Sequence, residues 1–178
     1  MLSCVCGVLF EEFMKKALQK LAGYLNILGF DYQKFLDDKK ERIRAQKYCY
    51  IMKKKWNIDL NGTFSLYING PYNSRLTDDL YEIANDKNAP NIANEGSIST
   101  GQLKQLRNLF TQNEQIDEVD LLEFYTTYSY LKENFPHLNE EEVDKELHYR
   151  KSAINKEYET NSIDVMPVIR NIYSNLAS

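Results

Sequence analysis

Residues 63–80 read TFSLYINGPYNSRLTDDL. From Thr63 to Asn69 the apolar side chains alternate. Phe64, Leu66 and Ile68 fall on one side, and Thr63, Ser65, Tyr67 and Asn69 on the other. A period of two marks a strand with one buried face. Gly70-Pro71 ends it, because proline has no N–H to give to a ladder. Asn73 or Ser74 then caps a helix that turns Leu76, Leu80, Ile83 and Ala84 inward. Asp78 and Asp79 suit the positive end of its dipole. A strand this short cannot satisfy its own backbone, so a partner strand is expected near Ile92 or Ile98.

On the N-terminal side, Phe13, Leu18, Leu21, Leu25 and Leu28 recur at helical steps and predict a first helix over 11–28, closed by Gly29. Asp31 is placed to cap the next helix. Tyr32, Phe35 and Leu36 form one apolar turn, and Ile43, Ala45, Tyr48, Cys49, Met52 and Trp56 a second set. Residues 32–56 are one helix or two, with two favoured and the break near Asp38. On the C-terminal side, the Asn-rich stretch 86–97 is a loop, mobile or functional by its length. Ser99/Gln102 and Asn139/Glu142 are capping boxes. Asp117 and Asp164 cap two further helices, and Pro136 ends the first of these. The predicted class is mainly α: a multi-helix single domain over 14–178 with one short β element near residues 63–69. Two lobes, 14–86 and 99–178 joined by the loop between them, are the alternative. The expected core includes Leu21, Ile43, Phe64, Leu66, Leu80, Leu106, Phe124, Tyr128 and Ile172. Residues 1–13 read as an apolar leader, open to being disordered, with Met1 and Met14 both open as the start. Its apolar run is too short to span a bilayer and lacks the positive region of a signal peptide. No membrane partner is expected.

The chain has 178 residues, a net charge of −4 and 13 tyrosines. The charge is unevenly spread. Residues 34–55 hold nine Lys/Arg against three Asp/Glu, while 114–146 hold eleven acids against Lys132 and Lys145. Such asymmetry guides the approach of a partner, or it marks solvated helix faces of opposite sign. Three cysteines, Cys4, Cys6 and Cys49, make no disulfide framework and point to a reducing cytoplasm. With His137 and His148 they do not supply four ligands at metal-site spacing. Asp144 and His148 share a helix face without a third partner. No nucleophile motif, phosphate loop or cofactor fingerprint is present. The expected chain therefore has no catalytic residue, no metal and no cofactor.

Two segments carry the specific motifs. Residues 42–51, RIRAQKYCYI, hold a Gln-Lys-Tyr signature, and residues 64–74, FSLYINGPYNS, end a strand in Tyr-x-x-Gly-Pro-Tyr. Together with Leu76 and Leu80 they resemble the YwgA-like family of uncharacterised prokaryotic proteins and, more remotely, the Panacea antitoxin domain. Asn73 stands where serine is usual. The resemblance implies a mostly helical fold with a small β element. It also implies an antitoxin- or adaptor-like role, with another protein such as a toxin or a protease substrate as partner. It carries over no catalytic residue.

The residues support three functional expectations. A partner surface is expected at Gly70, Pro71, Tyr72 and Arg75, joined by the Asn-rich loop and part of the basic helix, since Tyr and Arg are favoured anchors. The competing expectation is that Gly70-Pro71 simply makes a turn. Nucleic-acid contact through Lys47, Lys53, Lys54 and Lys55 is an alternative, as is an enzyme or small-anion site at the Gly-Pro-Tyr corner. Self-association is left open.

Overall fold

The computed structural model describes the backbone of residues 2–177 and the side chains of residues 15–176. The expected leader over 1–13 lies outside the residues described with side chains, as do Cys4 and Cys6. Helix α1 spans Leu2–Ile27. Arg44 closes its C-terminal end by donating to the carbonyls of Leu28 (2.6 Å) and Gly29 (3.1 Å). Helix α2 spans Tyr32–Asp37 and α3 spans Lys39–Trp56, so the segment is two helices. Asp38 is the joint: its backbone N–H bonds Lys34 and its carboxylate accepts from Lys40 N. A single extended residue thus ends one helix and starts the next.

Strand β1 is Ser65–Tyr67 and strand β2 is Gly70–Tyr72, paired antiparallel with Leu66 opposite Pro71. The partner strand is therefore not near Ile92 or Ile98, and Gly70-Pro71 does not end the β element but builds its second half. Proline is tolerated because a two-stranded ribbon has open edges that demand no N–H from it. Ile68 and Asn69 form the tip, and Gly70 comes next with φ +87°, a left-handed geometry glycine adopts without penalty. Because the chain reverses after Tyr67, Ile68 leaves the alternation and stands 85% exposed.

Helix α4, Ser74–Asn85, starts where Asn73 Oδ1 accepts from Leu76 N. The Asn-rich stretch holds a 3-10 turn, Ala89–Asn91. It is pinned to α1 by Asn26, whose amide donates to Ala89 O and Ile92 O, and by Tyr24, whose hydroxyl accepts from Ser97 N. Helices α5 (Thr100–Thr111), α6 (Glu118–Asn134), α7 (Glu140–Arg150), α8 (Ser152–Thr160) and α9 (Met166–Ala177) complete the chain. Both capping boxes form. The molecule is mainly α with one short β hairpin.

Helix α6 is the axis. All its residues from Leu121 to Ser129 are buried, because α3, α7 and α9 and the hairpin pack around it. Buried apolar residues from both halves of the chain form one contiguous cluster. Leu21, Leu80, Leu106, Phe124, Tyr128 and Ile172 are in it as expected. Ile43, Phe64 and Leu66 are only half-buried: Phe64 and Leu66 pack on the margin of the core and Ile43 lines the cleft beside the hairpin. Among the described residues no helix is long and apolar enough to cross a membrane.

Candidate functional site

The two sequence motifs meet in space. Gln46, on α3, donates from Nε2 to Asn73 O (2.9 Å) and accepts from Asn73 N at Oε1 (3.2 Å), so its amide reads both backbone groups of one residue. Lys47 Nζ donates to Pro71 O at 2.7 Å. Tyr48 donates to Glu118 on α6 at 2.6 Å, and Arg44 bonds the same carboxylate at 2.9 Å. The Gln-Lys pair is therefore the support on which the Gly-Pro-Tyr-Asn corner rests. An α-helix turns about 100° per residue. Adjacent residues on one helix can consequently serve different partners, and 44, 46, 47 and 48 do so.

Beneath the corner lies a buried charged cluster. Lys151, the residue between α7 and α8, donates to Glu123 Oε2 (2.7 Å) and to Ile68 O (3.0 Å). Two buried lysines thus hold the hairpin by its carbonyls, Lys151 at the tip and Lys47 on β2. Lys47, Lys151 and Glu123 are all at most 5% exposed. The carboxylate pairs with Lys151; Lys47 makes no ion pair among the described residues. Burial lowers the Lys47 amine to about 7, the neighbouring Lys151 charge pushes the same way and Glu123 opposes both. Burial also lowers Lys151, with Glu123 counteracting. Gly70 covers the cluster: a Cβ there would stand 2.5 Å from Thr127 Oγ1 and 3.4 Å from Lys47 Nζ. The Thr127 hydroxyl is fully buried and has no hydrogen-bond partner among the described residues.

Above the cluster, a cleft of about 410 Å3 opens between the hairpin and helices α2, α3 and α4. One wall is the aromatic pair Tyr67–Tyr72, with ring centroids 5.4 Å apart; the other is Phe35–Tyr81, 4.9 Å apart. Both pairs are edge-to-face, the arrangement aromatic quadrupoles favour. Ile43 and Leu80 add apolar surface, and Gln46, Lys47 and Thr77 line it with polar groups. Lys39 and Arg42 also line it. Arg42 donates to the carbonyls of Phe35 and Leu36, which fixes its guanidinium at the end of α2.

The expected partner-binding residues are split by this geometry. Gly70 and Pro71 are buried, Tyr72 is half-buried in the cleft wall with its phenol bonded to Thr77 (2.9 Å), and Arg75 is exposed on α4. The Asn-rich loop is not part of the same surface. It leaves the far end of α4, about 18 Å along that twelve-residue helix, and packs on α1 instead. The expected basic stripe also changes. Lys47 points inward and is 2% exposed, so it is no surface phosphate contact. Lys54 pairs with Glu133, and Lys55 donates to Leu176 O. Lys53 is half-buried.

Of the candidate acid–base groups, His148 Nδ1 bonds the backbone carbonyl of Asp144 rather than its carboxylate, which pairs with Arg170. Cys49 is buried, and burial pushes its thiol up. Among the described residues no three His, Cys, Asp or Glu side chains gather as a metal site would need. Sequence reasoning missed Glu123, Thr127, Lys151, Phe35 and Tyr81. The available signal was Glu123, the one charge in the otherwise apolar or hydroxyl-bearing run Leu121–Tyr130. Comparison with protein-family models, curated proteins and solved structures finds no match for this chain.

Proposed function

We propose that this chain is a protein-interaction module that takes a segment of a partner protein into the cleft beside the hairpin. One observation carries the proposal. Four large apolar side chains stand exposed among the described residues, and three of them, Tyr67 (59%), Ile68 (85%) and Tyr81 (36%), surround this one cleft. Exposed apolar groups gathered at one concave place mark a binding surface, whereas scattered ones do not. The partner segment carries an apolar or aromatic anchor followed by acidic residues. The anchor fills the aromatic walls, and the acids meet Lys39, which is exposed and has no ion pair among the described residues. The antitoxin- or adaptor-like role implied by the resemblance to the YwgA-like and Panacea families is the cellular form of this proposal. Its partner would then be a toxin or a protein destined for a protease. Nucleic-acid binding has less support, because Lys47, Lys54 and Lys55 are engaged within the molecule.

The test is selection of displayed peptides on the wild-type protein, and then titration calorimetry of the winner. Ile68→Asp, at the exposed tip, is expected to weaken binding by about tenfold or more, the scale of losing one buried apolar anchor. Lys39→Glu should weaken acidic peptides and flatten their salt dependence. Peptides that bind both variants as well as wild type would place the interface elsewhere. Dimerisation lost in Ile68→Asp would name a second copy as the occupant.

A further inference from the structure

We propose that Lys47 is a nucleophilic amine that captures a small oxo acid entering the cleft, forming a Schiff base. This goes beyond protein docking and does not rest on it, although both use the same cleft. The first observation is geometric. Lys47 lines the cleft, yet its amine is buried, without an ion pair among the described residues, and bonded only to Pro71 O. Ordinary buried lysines are paired, because an isolated buried ammonium is expensive. An amine held dry, beside a carboxylate that is already paired with another lysine, is pushed toward the neutral, nucleophilic form. The second observation is its neighbour. Lys151 holds the available carboxylate, Glu123, and sets a second cation beside Lys47. Desolvation together with an adjacent cationic group is the arrangement that activates Schiff-base lysines. The third is the Thr127 hydroxyl. It is fully buried, has no hydrogen-bond partner among the described residues and approaches the same point beneath Gly70 as Lys47 Nζ. Two under-satisfied polar groups therefore converge at one place under the cleft.

The step balances without oxidant or reductant. The amine lone pair adds to the carbonyl carbon, and the C=O π pair moves to oxygen. Two protons pass from nitrogen to that oxygen, water leaves and a C=N bond forms. The charged groups facing the amine are Glu123 from α6 and Lys151 from the α7–α8 junction; the hairpin offers only the phenols of Tyr67 and Tyr72. The lining sets the class of ligand. Phe35, Ile43 and Leu80 suit a branched or aromatic side chain, and Lys39 at the cleft suits a carboxylate.

The experiment is reductive trapping on the full chain with 4-methyl-2-oxopentanoate and cyanoborohydride, from pH 6 to 9, with peptide mass mapping. Lys47 is expected to be labelled at least about tenfold faster than any other lysine at pH 7, where an ordinary lysine is almost wholly protonated. Its labelling should rise through about pH 7. Lys47→Met removes the label, and a circular-dichroism spectrum checks that the variant is folded. Lys39→Glu should slow labelling by the oxo acid and leave labelling by neutral 4-methyl-2-pentanone unchanged. Labels spread evenly over surface lysines, or none on Lys47 at any pH, would overturn the proposal. Equal slowing of both probes would overturn the assignment of an acid. The peptide titration reads Ile68 and this one reads Lys47, so either can fail alone.

Discussion

Lys47 shows how one side chain changes meaning between sequence and structure. In the sequence it is one of nine cations in a basic segment; in the fold it is 2% exposed and donates to Pro71 O. Its charged form is disfavoured on folding, which sets the sign of a pH effect. The unfolded chain keeps the proton up to the ordinary lysine value of 10.5, while the folded chain releases it near 7. Between those values the unfolded state binds more protons, so stability rises with pH. The difference in unfolding free energy, wild type minus Lys47→Met, should be flat below pH 6. From pH 7 to 8.5 it should then climb by up to about 1.4 kcal/mol per pH unit. Urea titrations across that range measure it. A flat difference throughout would mean the amine is not titrating where its burial places it. Ile68 makes the complementary point. Alternation put it inside, but a reversal one residue earlier leaves it at a turn tip, and local periodicity carries no record of where a chain turns back.

At the scale of elements, capping chemistry was legible before packing was. Asp31, Asn73, Ser99, Asp117 and Asn139 each hold a helix start as their residue type implies. The hairpin was only half legible, because a strand's partner is chosen by geometry that alternation does not encode. Gln46 fixes it in place. Replacing this residue with alanine leaves the buried Asn73 N–H without its partner, while Asn73 O keeps its bonds from Thr77. The expected loss is roughly 1–3 kcal/mol, the penalty for stranding one buried polar group. Hydrogen exchange should find the Asn73 amide and the first turn of α4 opening sooner while α6 stays protected. Uniform acceleration across the protein would show that the corner is held by the core and not by this amide.

Over the whole molecule, α6 organises the fold and its neighbours neutralise it. Phe124 is 1% exposed at its centre, so Phe124→Ala should destabilise by about 3–5 kcal/mol in a denaturant titration. A loss under about 1 kcal/mol would mean the site collapses around the cavity. The opposite charges of segments 34–55 and 114–146 face each other. Lys40–Asp117, Arg44–Glu118 and Lys54–Glu133 all join α3 to the start or end of α6. An asymmetry that suggested an external partner is therefore partly satisfied inside the molecule.

The sequence by itself determined the helical class, most caps and most of the core, and favoured a break near Asp38, because these depend on contacts within a few residues and on 3.6-residue periodicity. It also marked the Gln-Lys and Gly-Pro-Tyr motifs without saying why they belong together. Only the tertiary structure decided that. It set Gln46 and Lys47 under Pro71 and Asn73, and brought Lys151 from 83 residues away to Ile68 O. It also left Lys47 without an ion pair among the described residues while Lys151 took Glu123. Such juxtapositions depend on which helix faces cross at α6, and burial of a charge is a property of everything packed around it rather than of its neighbours along the chain.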